Sequence, residues 1–328
     1  MTPPKYAEAF LHQAGWQDAT ILPLAGDASF RRYFRVRRGA DKAVLMDAPP
    51  PHEDPRPFIA IAQGLAAQGF RTPRILTHDL ALGLVLLEDF GDVRMRERLD
   101  ADPDREADIY RAVVDLLVEL GRHPALALAP YDLAAYQRET ALFIDWYCPA
   151  LGLDVDAQGF VAAWEQVLYP VVAAQNPPVT VLRDYHAENI MLLGDANIVS
   201  TLGLLDFQDA LAGHAAYDLV SMLQDARHAV SADLEQQMLA HYCAATGAGA
   251  AFIDAYHILG AQRNVKILGI FTRLWKRDNK PHYRVFQPRV WAYLERDLEY
   301  PVLAPVRDWF VANVPHEMRA AAWSRDGN

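Results

Sequence analysis

Two cysteines, Cys148 and Cys243, are all that the 328 residues contain, and they lie far apart and outside any C-x-x-C spacing. That excludes a disulfide framework and a cysteine-rich structural zinc site, and fits buried, reduced thiols. Long apolar runs are missing as well: no stretch approaches the roughly 18 residues of a membrane span, and Met1-Thr-Pro-Pro-Lys5 lacks a charged segment followed by an apolar one. The expectation is a cytoplasmic protein with no membrane partner. Positive charge is scarce, since 31 Lys and Arg against 42 Asp and Glu leave a net −11. Phosphate backbones attract basic surfaces, so nucleic acid is not an expected partner. There is no internal repeat and no low-complexity tract, and nothing in the chain specifies an oligomeric state.

What is present is a chain that is 52% hydrophobic, enough to bury a sizeable core. Tyr33 to Val36 and Ala43 to Asp47 read as two strands around the polar turn Arg37 to Lys42. Asp54-Pro55-Arg56 then opens a helix that carries Phe58, Ile59, Ile61 and Leu65 and stops before Gly69. Leu84 to Leu87 is a further short strand, closed by Glu88-Asp89-Phe90-Gly91-Asp92. Beyond it the period changes to that of helices, from Ile109, Val113, Leu116, Leu117 and Leu120 onward, with one β interruption between Thr180 and Asp206. The pattern predicts an α+β, two-lobed architecture, a small β-rich lobe over residues 1–92 and a large helical lobe over 93–328.

The chemistry concentrates in that interruption. Val181-Leu-Arg-Asp-Tyr-His-Ala-Glu-Asn189 puts Asp184 five residues before Asn189, and Leu204-Leu-Asp-Phe-Gln-Asp209 follows. Ile190 to Leu193 and Ile198 to Leu205 read as a hairpin around Gly194 to Asn197, which would return Asp206 to the end where Asn189 sits. An amide and a carboxylate oxygen suit Mg²⁺, which takes one or two protein ligands together with substrate phosphates. Asp184, off the metal, is placed to orient a nucleophile and accept its proton, as the catalytic-loop Asp of kinases does.

D-Y-H-A-E-N followed by L-L-D-F resembles the aminoglycoside phosphotransferase and choline-kinase-like family more than protein kinases, because Phe207-Gln208-Asp209 stands where protein kinases have Phe-Gly. G-D-A-S-F-R-R-Y-F-R-V, V-L-M-D-A-P-P and Q-R-N-V-K-I-L-G-I-F extend the match over nearly the whole chain and resemble, within that family, the bacterial N-acetylmuramate and N-acetylglucosamine anomeric kinases. The resemblance implies a protein-kinase-like fold, a nucleotide-binding first lobe, ATP and Mg²⁺, and transfer of a phosphoryl group to the C1 hydroxyl of an amino sugar recovered from cell-wall turnover. It also places adenine against the segment of Glu88 and Phe90. The turn from Leu24 to Phe34, with Gly26 and Ser29, would present backbone N–H groups to the phosphates.

Two features depart from the kinase pattern, and Asp218 matches an acidic position of the family. Met46 stands where a strand Lys belongs, and the following helix has no acidic residue to pair with one. Arg31 and Arg32 are then the candidate counter-charges to phosphate, with Lys42 as the alternative after a register shift. Leu182 replaces a His usual in the family, a packing change. Asp218 in Ala216-Tyr-Asp-Leu-Val220 either braces the catalytic loop, with Arg183 beside it, or caps the next helix.

Between Ala261 and Val290 eight Lys or Arg face one acidic residue. On a helix Arg263, Lys266, Arg273 and Arg277 fall within roughly an 80° arc, which predicts one cationic face. If that face borders the substrate, Arg263 and Lys266 would hold a sugar carboxylate; a solvated face is the other reading. His186, beside Asp184 in the sequence, is read as a contact to substrate or to a helix end, or as the maker of a structural hydrogen bond, which is the favoured reading. Two alternative functions stand beside the amino-sugar kinase. One is a kinase of an aminoglycoside or amino alcohol, and the other is an inactive nucleotide-binding pseudokinase.

Overall fold

Apolar residues recur at a spacing of two on both early strands, Phe34 and Val36 on one, Ala43 and Leu45 within the apolar run of the next. That period buries one face of a β-ribbon. In the computed structural model, which describes residues 1–24, 30–194, 198–320 and 323, the ribbon is the centre of a larger sheet. In chain order the elements begin with α1 (Ala7–Gln13), β1 (Thr20–Pro23), β2 (Arg32–Arg38), β3 (Asp41–Asp47), α2 (Arg56–Ala67), β4 (Ile75–Asp79), β5 (Leu84–Glu88), α3 (Met95–Ala101) and α4 (Glu106–Leu120). They continue with α5 (Leu133–Leu142), α6 (Cys148–Ala150), α7 (Ala157–Ala173), β6 (Val179–Val181), β7 (Ile190–Leu192), β8 (Leu202–Leu204) and β9 (Leu211–Gly213). The rest is helical: α8 (Ala216–Leu223), α9 (Ala232–Thr246), α10 (Ala250–Lys276), α11 (Gln287–Leu298) and α12 (Ala304–Asn313).

The chain forms two compact units. One comprises Met1–Pro103 and Glu188–Asp209, the other Asp104–Ala187 and Ala210–Asn328. The division expected from sequence, 1–92 and 93–328, is continuous along the chain, whereas these units are not. The segment carrying Asn189 and Asp206 belongs with the first unit.

In the first unit the strands run antiparallel in the order β1-β2-β3-β5-β4. Phe34, Val36, Ala43, Leu45, Leu84 and Leu86 cover one face of the sheet and pack against Phe10 and Leu11 of α1. The helix after β3 starts at Arg56 with Pro55 in the capping position, not in the first helical one, and Asp54 Oδ1 accepts the Arg56 backbone N–H at 3.0 Å. Three elements leave no clear period in the sequence: α1, β1 and β4, of 7, 4 and 5 residues. Pairing and packing with distant residues form them. The hairpin of β7 and β8 pairs Ile190 with Leu204 and Leu192 with Leu202. Its second strand is shorter than the expected Ile198 to Leu205, because Val199–Thr201 close into a 3-10 turn in which the Thr201 hydroxyl donates to the Ile198 carbonyl.

In the second unit the 27-residue α10 packs against α5, α8 and α11. Gly269 permits the approach to α5: a Cβ there would stand 2.4 Å from the carbonyl carbon of Leu142. Val265, Leu268 and Phe271 are buried as the period requires, and Trp291, fully buried, packs edge-on to Phe143 and Phe310. The single cationic face does not form. Arg263 is buried, Lys266 is largely so, and Arg277 is exposed and paired with Asp278. The 100° spacing is kept, but neighbouring elements cover the first turns of that arc and leave its end to water.

Candidate active site

The antiparallel hairpin determines the first half of the chemistry. Beyond the last ladder pair, the Leu205 N–H donates to the Asn189 carbonyl at 3.0 Å, so Asp206 follows directly beside Asn189. Asn189 and Asp206 both line a cavity of about 400 Å³ in the first unit. Asp206 has φ +56°, a left-handed conformation sparsely populated by non-glycine residues, and its Oδ1 accepts Gln208 Nε2 at 2.9 Å. Val44 and Leu87 of the sheet, with Met191 and Leu205 of the hairpin segment, give the cavity apolar walls. A slot with apolar walls and oxygen ligands suits a flat ring joined to metal-bound phosphates. Among the described residues no three His, Cys, Asp or Glu side chains gather as a protein-only metal cage. One carboxylate and one amide oxygen are a donor set that fits Mg²⁺, which completes its shell with water and phosphate.

Glu88 and Phe90 both line this cavity. The Glu88 carboxylate is held by Arg71 and Arg74, each at 3.0 Å. Burial would raise its pKa, but hydrogen bonds from the two arginines outweigh that and hold it below the ordinary range. Phe90 lies against Gly203, where a Cβ would meet its ring at 2.7 Å, so this wall requires glycine. Gly26 and Ser29 lie outside the described residues.

The expected phosphate cations stand elsewhere. Arg32 pairs across β2 and β3 with Asp47 and shares the face of Phe34 and Val36, opposite the cavity-lining Tyr33 and Arg35. Its guanidinium is bound to the Asp47 carboxylate at 2.5 and 2.8 Å. The period of two turns it away from the cavity. Arg31 is buried with Nε 3.5 Å from Glu53 Oε2, and neither it nor the exposed Lys42 lines the cavity. Met46 is fully buried. The cations that do line the cavity are Arg35 and Arg94, which the sequence reading passed over. The alternation Tyr33, Arg35 opposite Val44 was the available signal.

The second unit carries Asp184, on the loop after β6. Asp218, in the first turn of α8, accepts the N–H groups of Leu182 at 2.6 Å and Arg183 at 2.8 Å. It is therefore a brace and not a helix cap. Burial pushes the Asp218 pKa up to about 7, against the pull of these two donors and of Arg263. Asp225, unnoticed in the sequence, holds the other end of the loop by accepting the Ala187 N–H at 3.2 Å. Arg183 takes φ +70°, and its side chain reaches Glu139 at 2.5 Å.

Lys266 Nζ lies 3.0 Å from Glu139 Oε1 and 3.1 Å from the Tyr217 hydroxyl. Its charge is thus paired within the protein, which corrects its expected part in holding a sugar carboxylate. For Asp184, burial favours the neutral acid, but Lys266, His186, Arg263 and Arg183 outweigh it and hold the pKa below the usual carboxylate range. The side chain is a carboxylate at neutral pH. His186 is buried, and burial pulls its pKa down to about 4, so it is neutral. A neutral, covered imidazole argues for packing rather than for substrate contact. Arg263 is 4% exposed and close enough to Asp184 and Asp218 to act on both electrostatically.

A family model described as the phosphotransferase enzyme family matches residues 20–253. A protein of Caulobacter vibrioides named N-acetylmuramate/N-acetylglucosamine kinase is 36% identical, over 95% of this chain and 96% of its own length. A protein of the same name from Pseudomonas aeruginosa is 38% identical, over 86% of this chain and 85% of its own. Among solved structures, a choline/ethanolamine kinase family protein from Mesorhizobium loti superposes with a TM-score of 0.59 at 18% identity, over 92% of this chain and 98% of its own, a likeness of fold. No helix among the described residues is long and apolar enough to cross a membrane.

Proposed function

The chain belongs to the phosphotransferase enzyme family, and on that premise we propose that it transfers the γ-phosphoryl group of ATP to the anomeric C1 hydroxyl of N-acetylmuramate and N-acetylglucosamine, in recycling of cell-wall sugars. The observation that carries the reading is the slot of the first unit: apolar walls from Val44, Leu87, Met191 and Leu205, with Asn189 and Asp206 on the same cavity. The shared name of the relatives supports the choice of sugar.

In this reading Asp184 accepts the proton of the attacking hydroxyl as the new O–P bond forms and the bond to the β-phosphate oxygen breaks. Its carboxylate is ready for that task, because Lys266 and Arg263 keep it ionised. Asp218 and Asp225 hold the backbone on either side of it, so the base needs no search for position. Asn189 and Asp206 would hold Mg²⁺, which when bound neutralises charge on the phosphates. Arg263 is the candidate for the carboxylate that N-acetylmuramate has and N-acetylglucosamine lacks.

A kinase of an aminoglycoside or amino alcohol is less favoured, since the buried Arg263, close enough to Asp184 to act on it, opposes a cationic substrate. A pseudokinase would have no use for an ionised Asp184 braced by two buried carboxylates. The deciding measurement is ADP release with a panel of N-acetylmuramate, N-acetylglucosamine, an aminoglycoside and choline. Turnover confined to the last two, or none with any, would overturn the proposal.

A further inference from the structure

Arg35 lines the cavity of the first unit, yet the kinase reading gives it no task. It sits opposite Val44 across β2 and β3, and both residues border the slot with Leu87. The residue is 8% exposed, a depth at which a cation needs partners. Those partners lie on one segment of chain. Nη1 donates to Asp92 Oδ1 at 2.7 Å, Nη2 donates to Asp89 Oδ1 at 3.1 Å and to the Gly91 carbonyl at 3.0 Å, and Nε is 2.7 Å from Asp89 Oδ2. Asp89 is itself fixed, since its Oδ1 accepts the Gly91 N–H at 2.8 Å.

Two consequences follow from this arrangement. Two carboxylates more than balance the single positive charge, so Arg35 offers little net attraction to a triphosphate. Three of the five N–H groups of the guanidinium donate to Asp89, Gly91 and Asp92 along its edge, and Nε stands against Asp89 Oδ2. With that edge engaged, a ligand can use the flat face of the group, in a slot whose apolar walls include Val44, Leu87, Met191 and Leu205. A guanidinium is planar and weakly hydrated, and its face stacks well on aromatic rings.

We propose that Arg35 is a nucleobase-positioning residue, whose guanidinium, anchored by Asp89 and Asp92, stacks on the heterocyclic ring of the bound nucleotide. The inference rests on the ATP-dependent reading above and adds to it the residue that sets the base. Loss of one stacking partner corresponds to about tenfold in affinity or more.

The test is isothermal titration of the full chain with three ligands: ADP, adenosine and inorganic tripolyphosphate. Arg35→Met keeps the aliphatic length and removes the planar cation. It is expected to weaken ADP and adenosine by the same factor, about tenfold, and to leave tripolyphosphate within twofold. Arg35→Lys, which keeps the charge without the planar face, is expected to follow Arg35→Met and carries the test if the methionine variant does not fold. Unchanged adenosine binding overturns the proposal. So does a loss confined to tripolyphosphate, which would make Arg35 a phosphate ligand, or an equal loss of all three, which would make it a support of the unit. Failure of the unmodified chain to bind ADP would be a different result, sinking the nucleotide reading and this inference with it.

Discussion

Asp218 Oδ1 accepts the backbone N–H of Arg183 at 2.8 Å, one residue before Asp184, and its Oδ2 accepts that of Leu182 at 2.6 Å. The loop that carries Asp184 is therefore held through its backbone, at Leu182 and Arg183 by Asp218 and at Ala187 by Asp225.

For that reason Asp184→Asn is expected to fold and bind ADP as the parent does, while turnover falls by roughly 10² or more, the scale of losing a general base. Steady-state kinetics beside a thermal melt checks this. Near-normal turnover would remove Asp184 from the mechanism.

Asn189→Ala and Asp206→Ala each delete one oxygen from the same donor set on the cavity. Both are expected to shift the Mg²⁺ concentration giving half-maximal rate upward by about tenfold or more, the order reported for losing a supporting interaction at a metal. Titrations of both variants that overlay the parent curve would refute the metal site.

Lys266→Met tests the electrostatic setting of the base. Burial raises the Asp184 pKa and Lys266 leads the groups that lower it. Asp184 must be ionised to accept a proton, so the acidic limb of kcat/KM against pH lies low in the parent. Removing Lys266 leaves burial less opposed, and the limb is expected to move up. A limb that stays in place, or moves down, contradicts the assignment.

Arg263→Ala is expected to raise KM for N-acetylmuramate about ten- to a hundredfold, with a smaller effect for N-acetylglucosamine, because a charge-assisted hydrogen bond is lost only where there is a carboxylate. The ratio of kcat/KM values for the two sugars in one buffer is the measurement. An unchanged ratio would show that Arg263 serves only Asp184 and Asp218.

His214 tests stability. Burial pulls its pKa down to about 4 from an ordinary 6.5, and its Nδ1 accepts the Ala216 N–H at 3.2 Å. The depressed pKa of a base means that the unfolded chain binds the proton first. Stability from this group is full above pH 6.5 and is lost as pH falls toward 4, by about 2 kcal/mol between pH 7.5 and 5. His214→Asn keeps an acceptor and removes the titration. Urea unfolding at the two pH values should show a smaller loss in the variant; equal losses would sink the assignment.

Much of this was legible in the residues. The strand alternation of Phe34, Val36, Ala43 and Leu45, the breaks at Gly69 and Asp89 to Asp92, and the spacing of Asp184, Asn189 and Asp206 are local patterns. Each states its consequence within a few residues, since a hairpin of known turn position fixes which residues return side by side. So the return of Asp206 to the end where Asn189 sits was legible in the chain itself.

The assignment of charges could not. Arg32 and Arg35 are three residues apart, so the period of two puts them on opposite faces of β2, but only packing brings Asp47 to one and Asp89 and Asp92 to the other. Lys266 belongs by spacing to a cationic stripe but is paired with Glu139, more than a hundred residues earlier. A charged side chain takes its role from whichever opposite charge folding brings within a few ångströms, and that distance belongs to the tertiary structure. Local pattern determined most of the elements and the candidate site residues, because it acts within a few residues; which charges meet was decided by the fold, which alone brings distant side chains together.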